Sequence, residues 1–398
     1  MWSIMSVEKN NIAQNIPAAK GYANNVMIVA GEASGDLHGS FLVREMLAIN
    51  PSLQFFGIGG KKMEEAGVRL LASSADIAVV GFSEVLSKIG SFIRIKAGIR
   101  KFMDQMKPNL VILIDFPDFN LNIVARTAKK KNINVFYYIS PQVWAWREGR
   151  VRQIKRLVDK MAVILPFEVD FYLAHGFPVH YVGHPMRDTV KTLFTKSRAR
   201  LHFGLFEKQT TIGLLPGSRS AEVARLLPVM IEAAKIISKK IPDAQYILPL
   251  ADTLDEKTIT ATLAESGINV KIVSGQIYDV LACCDLAIVT SGTATLETGL
   301  MGVPMIIVYK VSLFSELIAR MIIKRQHIGL VNIIAGKTIA PELLQRDANG
   351  PRIASEALAI LLNNSKKQEI IAELNDIRNK LGEPGAAGRA AQIACDMI

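Results

Sequence analysis

The chain has 398 residues, half of them hydrophobic, and its 47 Lys and Arg against 36 Asp and Glu leave a formal net charge of +11. That length exceeds one ordinary core and suits two domains of about 150–200 residues each. No stretch reaches the roughly 18 uninterrupted apolar residues of a membrane span, and the three cysteines, two of them adjacent at Cys283 and Cys284, form neither a disulfide framework nor a zinc spacing.

The basic excess points to an anionic partner. Nucleic acid is disfavoured because zinc-finger, ribonucleoprotein and aromatic-interleaved basic signatures are absent, which leaves a nucleotide or an acidic membrane surface. Residues 1–24 lack a signal-peptide core and read as a loose tail on a cytoplasmic protein. Short apolar runs then alternate with helix-length segments: 25–30, 53–59, 110–115, 134–139 and 161–166, followed by 211–216, 244–250, 269–274, 285–290 and 303–309. Their β-branched content without two-residue alternation predicts parallel strands covered on both faces, hence a doubly wound α/β fold. A polar, basic stretch after "YVGHPMRD" (181–188) divides the chain into a first Rossmann-like domain, 25–187, and a second, 188–365. Helices at 366–398 are expected to pack back on the first domain or to swap between protomers. Two such domains facing each other would leave a cleft at the carboxyl ends of their strands, where ligands bind in this class of sheet.

"VAGEASGDLHG" (29–39) follows the first strand and opens a helix, an anion-attracting position. Its glycines, Gly31, Gly35 and Gly39, do not fit the dinucleotide fingerprint G-x-G-x-x-G. The plain reading is a tight turn with Ser34 or Asp36 as N-cap. Glu32, just past a buried strand, can instead bond a sugar hydroxyl or orient a base. In "LVILIDFPDFN" (110–120) a buried strand ends in two acids. Pro117 biases Phe116 toward an extended conformation, which would carry Asp115 on along the strand into the cleft. Asp118 then reads as a cap or a brace for the loop.

"LLPGSRSAEVARLLP" (214–228) repeats the strand-turn-helix pattern with Ser218 and Arg219 at the helix start. A cation there is misplaced against the helix dipole by up to about 1 kcal/mol. A phosphate held by the amides and the guanidinium would offset it; an Arg extended into solvent is the other reading. In "SGQIYDVLACCD" (274–285) the loop at Gln276 could read a base edge. In "VTSGTATLETG" (289–299) the small residues Ser291, Gly292 and Thr293 admit a ligand to the backbone, and Glu297 could accept from two ribose hydroxyls or be an ordinary first-turn acid. Six cations in 147–160 read as a solvated helix face, His38 and His184 as packing or hinge residues, and Trp144 and Trp146 as shaping the cleft.

Residues 85–106 combine Ile89, Phe92, Ile93, Ile99, Phe102 and Met103 with Lys88, Arg94, Lys96, Arg100 and Lys101. As a helix this suits an anionic bilayer interface, contacted by Ile89, Phe92, Ile93, Arg94, Lys96 and Arg100. A packing helix with a solvated edge is the competing reading.

The motifs "GEASGD" (31–36), "IDFPDFN" (114–120), "SPQVWAWR" (140–147), "PFE" (166–168), "GHP" (183–185), "LLPGSR" (214–219), "SGTATLE" (291–297) and "LVNIIAG" (330–336), in this order, resemble the lipid-A-disaccharide synthase family over residues 25–345. The resemblance implies an inverting, metal-independent glycosyltransferase of the GT-B type, without a cofactor, whose second domain holds the UDP-sugar. It implies transfer of 2,3-diacylglucosamine from UDP-2,3-diacylglucosamine to 2,3-diacylglucosamine 1-phosphate (lipid X), giving the β(1→6) disaccharide 1-phosphate and UDP at the cytoplasmic face of the inner membrane. The family's essential acid falls on Asp115, and its other important positions on Glu32, Arg219, Glu297 and Asn332. The departures are the N-terminal tail and a Phe at 116 where some relatives carry Ala. A homodimer is left open. Three rivals remain: a UDP-N-acetylglucosamine 2-epimerase on the same fold, which needs no lipid acceptor; a dehydrogenase, which should show the absent fingerprint; and a non-catalytic binder, indifferent to loss of Asp115.

Overall fold

The computed structural model describes residues 24–73, 89–310 and 327–398, and all of their side chains except those at positions 73, 89–95 and 146. All but the last residue of the expected tail, and 85–88 of the basic segment, lie outside the described residues. The chain divides into two units, one running to Pro185 and including Pro384–Ile398, the other Met186–Glu383.

In the first unit seven parallel strands, β1 (Asn25–Ala30), β2 (Gln54–Gly59), β3 (Val68–Ser73), β4 (Leu110–Ile114), β5 (Asn134–Tyr138), β6 (Lys160–Val163) and β7 (His180–Tyr181), lie in the order β3-β2-β1-β4-β5-β6-β7. Successive strand residues point to opposite faces, and both faces are apolar here. Met27, Val29, Val111, Leu113, Val135 and Tyr137 enter one core, while Val26, Ile28, Leu110, Ile112, Ile114 and Phe136 enter the other. Helix α1 (Ala33–Ile49) covers the second core with Leu42, Val43 and Met46. Helix α2 (Ile89–Met106) covers the first: Ile99, Phe102, Met103 and Met106, spaced for one helical face, are buried, and Lys96, Arg100 and Lys101 are exposed.

The second unit repeats the pattern with β8 (Thr211–Leu215), β9 (Gln245–Leu250), β10 (Val270–Ser274), β11 (Leu286–Thr290), β12 (Met305–Tyr309) and β13 (Glu342–Leu344), ordered β10-β9-β8-β11-β12-β13 and again parallel. Its helices include α3 (Ser220–Lys240), α4 (Ile277–Cys283), α5 (Thr293–Leu300), α6 (Leu330–Ala335), α7 (Gly350–Leu361) and α8 (Asn364–Lys380). The basic stretch before β8 is clamped rather than loose. Asp285 accepts from the Thr211 amide at 2.9 Å, Arg200 at 2.5 Å and Lys196 at 2.7 Å.

The C-terminal segment is broken in two at "LGEPGAAGRA" (381–390), where the sequence places a break, and its halves belong to different units. Helix α8 buries Ile370, Leu374 and Ile377 within the second unit, and Leu374 lies against Gly299 of α5. The chain then breaks at Gly382 and Gly385, both with positive φ. Helix α9 (Ala386–Cys395) returns to the first unit, where Ala390, Ala391 and Ala394 join the core beside α1 and Arg389 donates to the Val182 carbonyl at 2.9 Å. The alanines permit a close approach that larger side chains would prevent. Three strands absent from the sequence reading, β3, β7 and β13, are all edge strands, two of them only two or three residues long.

Candidate active site

In each unit the strand order reverses at one point, between β1 and β4 and between β8 and β11, and crevices at such points bind ligands. Glu32 and Asp115 lie at the first of these places and Ser218, Arg219, Ser291, Gly292, Thr293 and Glu297 at the second, whereas Gln276 follows the edge strand β10 and Asn332 lies in α6.

In the first unit Ala30 pairs with Ile114, so Gly31–Glu32 and Asp115–Phe116 leave the sheet side by side. A Cβ on Gly31 would fall 2.3 Å from the Phe116 ring, so only Gly admits that ring. Asp115 and Phe116 are both left-handed, at φ 48° and 49°, whereas Pro117 had suggested an extended Phe116. The chain reverses immediately into the helical turn Pro117–Phe119, and several bonds hold the reversal. The Asn120 amide donates to the Asp115 carbonyl at 2.7 Å, the Tyr137 hydroxyl donates to the same carbonyl at 2.7 Å, and the Phe116 ring stacks on Phe119. Left-handed backbone costs a side-chain-bearing residue about 1 kcal/mol or more, less for Asp, and persists where neighbours over-determine it. Burial raises the pKa of the half-buried Asp115 carboxyl, and the Phe116 N–H opposes that shift. Such a group retains its proton more readily than a free Asp, as a base turning over near neutrality should.

Asp118 braces rather than caps. Its exposed carboxylate receives Arg147 at 3.3 Å and also pairs with Arg150. Glu32 occupies the N-cap position of α1 with its carboxylate exposed and uninvolved in capping. Neither Ser34 nor Asp36 caps that helix. Asp36 instead accepts the N–H groups of Gly60, Lys62 and Met63 at 2.8, 3.1 and 3.0 Å, tying α1 to the turn after β2.

In the second unit Leu215 pairs with Val289, and Gly217, at φ 116°, sits where a Cβ would fall 2.5 Å from the Glu222 carboxylate and 3.3 Å from Thr290. Arg219 is the N-cap residue of α3 and its side chain is 82% exposed. Its charge is offset by Glu222 at 3.1 Å, so the chain itself supplies one anion at this helix start. Ser218 is exposed, its carbonyl accepting from Thr253. Ser291 donates its amide to Val308, while Gly292 and Thr293 lie exposed at the start of α5. Gln276, left-handed and exposed, opens α4, which presents Tyr278 to Glu297 at 3.1 Å. Burial raises the Glu297 pKa against the pull of Tyr278, and burial beside Glu297 pushes the Tyr278 hydroxyl up to about 12.

Asn332 does not fit the ligand contact expected of it. It is fully buried, donates to Ala340 and Glu342 and accepts from the amides of Ile339 and Ala340, all within 3.0 Å. Every polar group of the side chain is engaged, and it acts as a strut between α6 and β13. In the proposed membrane segment Lys96 and Arg100 are exposed, but the side chains of Ile89, Phe92, Ile93 and Arg94 lie outside the described residues. Among the described residues no helix is long and apolar enough to cross a membrane. A groove of about 580 Å³ lined by Met103, Lys107, Asn109, Asn134 and Met397 opens at the amino ends of β4 and β5, the wrong edge of the sheet for Asp115.

The sequence reading passed over Asn120 and Tyr137, which shape the Asp115 turn, and Tyr278, which holds Glu297. It also passed over Thr290, whose buried hydroxyl has no hydrogen-bond partner among the described residues. Tyr137 sits in an apolar strand and gives no local signal; Asn120 closes the quoted motif and could have been found there.

A family model described as lipid-A-disaccharide synthetase matches residues 26–396. The chain belongs to the lipid-A-disaccharide synthase family. It is 54% identical over 374 residues to the lipid-A-disaccharide synthase of Syntrophus aciditrophicus (strain SB), covering 94% of this chain and 97% of that protein. It is 48% identical over 376 residues to that of Geobacter sulfurreducens, covering 94% and 98%. Among solved structures, MurG of Acinetobacter baumannii superposes with a TM-score of 0.61 at 14% identity, covering 94% of this chain and 99% of that one. The UDP-GlcNAc 2-epimerase of Neisseria meningitidis bound to UDP-GlcNAc gives 0.59 at 13%, covering 94% and 98%. At such identities these show the shared GT-B fold alone, and the epimerase rival rests on nothing closer. Lipid-A-disaccharide synthases are glycosyltransferases, as the motif order had implied.

Proposed function

We propose that this enzyme transfers 2,3-diacylglucosamine from UDP-2,3-diacylglucosamine to the 6-hydroxyl of lipid X, with inversion and without a metal, releasing UDP. The observation that carries the reading is Asp115, a carboxyl of raised pKa fixed at the carboxyl-end crevice of the first sheet. A sugar hydroxyl is too weak an acid to ionise at neutral pH, so its proton passes to Asp115 as the oxygen bonds the anomeric carbon. The bond from that carbon to the diphosphate oxygen breaks at the same time, and its electron pair leaves with UDP. Negative charge grows on the diphosphate, where Arg219 and the amides of Gly292 and Thr293 stabilise it. Arg219 would exchange Glu222 for phosphate, an inexpensive step because exposed ion pairs contribute only about 0–1 kcal/mol. Glu297, held by Tyr278, accepts ribose hydroxyls, Gln276 reads the base edge, and Glu32 orients the acceptor sugar.

The exposed Lys96, Arg100 and Lys101 favour docking of α2 on an anionic membrane surface, an attraction of about 1 kcal/mol per cation. The buried Ile99, Phe102, Met103 and Met106 take no part. Charge reversal at Arg94, Lys96 and Arg100 should lower sedimentation with anionic vesicles, and unchanged sedimentation counts against docking.

The decisive experiment is incubation with UDP-2,3-diacylglucosamine and lipid X, with and without EDTA, followed by mass spectrometry of the lipid. A disaccharide 1-phosphate formed equally in both supports the proposal. UDP release without disaccharide overturns the transfer, and loss of product with EDTA overturns the metal-independent mechanism.

A further inference from the structure

The loop carrying the base also carries a cationic pair that the transfer mechanism leaves unused. Arg147 and Arg150 converge on the single carboxylate of Asp118, three residues beyond Asp115. That carboxylate is 65% exposed, the Arg147 side chain is 41% exposed, and Arg150 is 16% exposed. Two guanidiniums thus share one solvent-facing carboxylate. The nearby acid Glu148 faces elsewhere, toward His175 at 3.1 Å.

The arm bearing these arginines is built rather than loose. It follows the short helix Val143–Trp146, which is anchored where the Trp144 indole donates to the buried Glu168 carboxyl at 3.1 Å. Arg150 also lies close enough to Tyr137 for its charge to act on that phenol. The same phenol donates to the Asp115 carbonyl, so the cationic pair and the base are linked through one side chain.

We propose that Arg147 and Arg150 form the subsite for the phosphate monoester of the acceptor sugar, with Asp118 as the internal anion that the phosphate displaces. This inference rests on the acceptor reading above. In that acceptor the reacting hydroxyl and the phosphate are carried on one sugar ring, so a phosphate anchor must lie within one ring's reach of the base. A planar guanidinium pair matches a tetrahedral dianion, and charge-assisted bonds to it are roughly twice as strong as neutral ones. Surrender of Asp118 by Arg147 costs little because both side chains are solvent-exposed, and at the more buried Arg150 the incoming phosphate takes the place of the carboxylate.

The test compares two acceptors, lipid X and the same diacylglucosamine without its phosphate, on the parent enzyme and on the Arg147→Gln, Arg150→Gln and Asp118→Asn variants. The parent should prefer lipid X. Each arginine variant should raise KM for lipid X by about 10–100-fold, as loss of a charge-assisted bond predicts, while KM for the phosphate-free acceptor and UDP affinity stay near parental values. Arg147→Gln is the safer variant should Arg150→Gln fail to fold. Asp118→Asn frees the arginines and should lower KM for lipid X while leaving the other acceptor unaffected. Equal losses on both acceptors, or an unchanged KM for lipid X, would reduce the cluster to a brace and overturn the subsite. Transfer by the parent to neither acceptor would instead mark failure of the underlying reaction.

Discussion

Asp115→Asn separates chemistry from folding at one atom. Asn keeps the shape of Asp and its tolerance of left-handed backbone, so the turn held by Asn120 and Tyr137 should persist. What disappears is the proposed base. General-base assistance contributes about 10²–10⁴-fold, which at 1.36 kcal/mol per decade is about 2.7–5.4 kcal/mol of barrier. Turnover should therefore fall at least about 100-fold, while UDP affinity by calorimetry, which the proposed mechanism assigns to residues of the other unit, changes by less than about twofold. Stability carries an independent signature. The folded pKa of Asp115 is raised, so its contribution to stability is complete below the unfolded value of about 3.9 and is lost as pH rises through the folded value. The Asn variant cannot lose it. Denaturant midpoints should thus show the parent declining relative to the variant from pH 4 to pH 8, with the variant at least as stable at pH 8. Turnover within tenfold of the parent, or lost turnover accompanied by lost UDP binding, would refute the assignment.

Gly31→Ala drives a methyl group into the Phe116 ring. It should cost about 1–3 kcal/mol by thermal or denaturant unfolding and depress kcat more than UDP affinity. Asn332→Ala removes a fully engaged buried amide and strands the donors and acceptors it served. We expect about 2–4 kcal/mol of lost stability, with UDP affinity preserved in protein that remains folded; selective loss of donor binding with normal stability would restore the ligand role. Burial raises Glu168 to about 7 against the bonds from Leu165, Trp144 and Ile164. Its protonated form is favoured in the fold, so the parent should lose about 3 kcal/mol between pH 4.5 and 7.5 and level off above, a slope absent from Glu168→Gln. A pH-independent difference between the two would refute the shift.

Both sheets were legible because buried parallel strands are written as apolar runs, and ten of these runs correspond to strands. Three of the four edge strands were not, since β3, β7 and β13 are short or mixed in polarity and their pairing comes from neighbours distant in sequence. In the same way the motifs located the strand-to-helix turns at the two switch points but not their internal wiring. Nothing local to Asp115 announces that Tyr137, on an adjacent strand, holds its carbonyl. Asn332 shows a related limit: a polar residue in a recurring motif reads as a ligand contact, and nothing local announces the four hydrogen bonds to Ile339, Ala340 and Glu342 that occupy its side chain. Pro117 misled about Phe116 because the preference of a residue before proline yields to a tertiary requirement to reverse the chain.

The return of α9 to α1 has a consequence for biosynthesis. Domains emerging from the ribosome tend to fold in order from the amino terminus. Here the second unit is continuous from Met186 to Glu383 and can complete its core as soon as it emerges. The first unit must wait, with the apolar flank of α1 uncovered, until Ala390, Ala391 and Ala394 have been synthesised. The unit that carries Asp115 is begun first and finished last, so a nascent chain stalled a dozen residues short would hold a finished second unit beside an unsealed first.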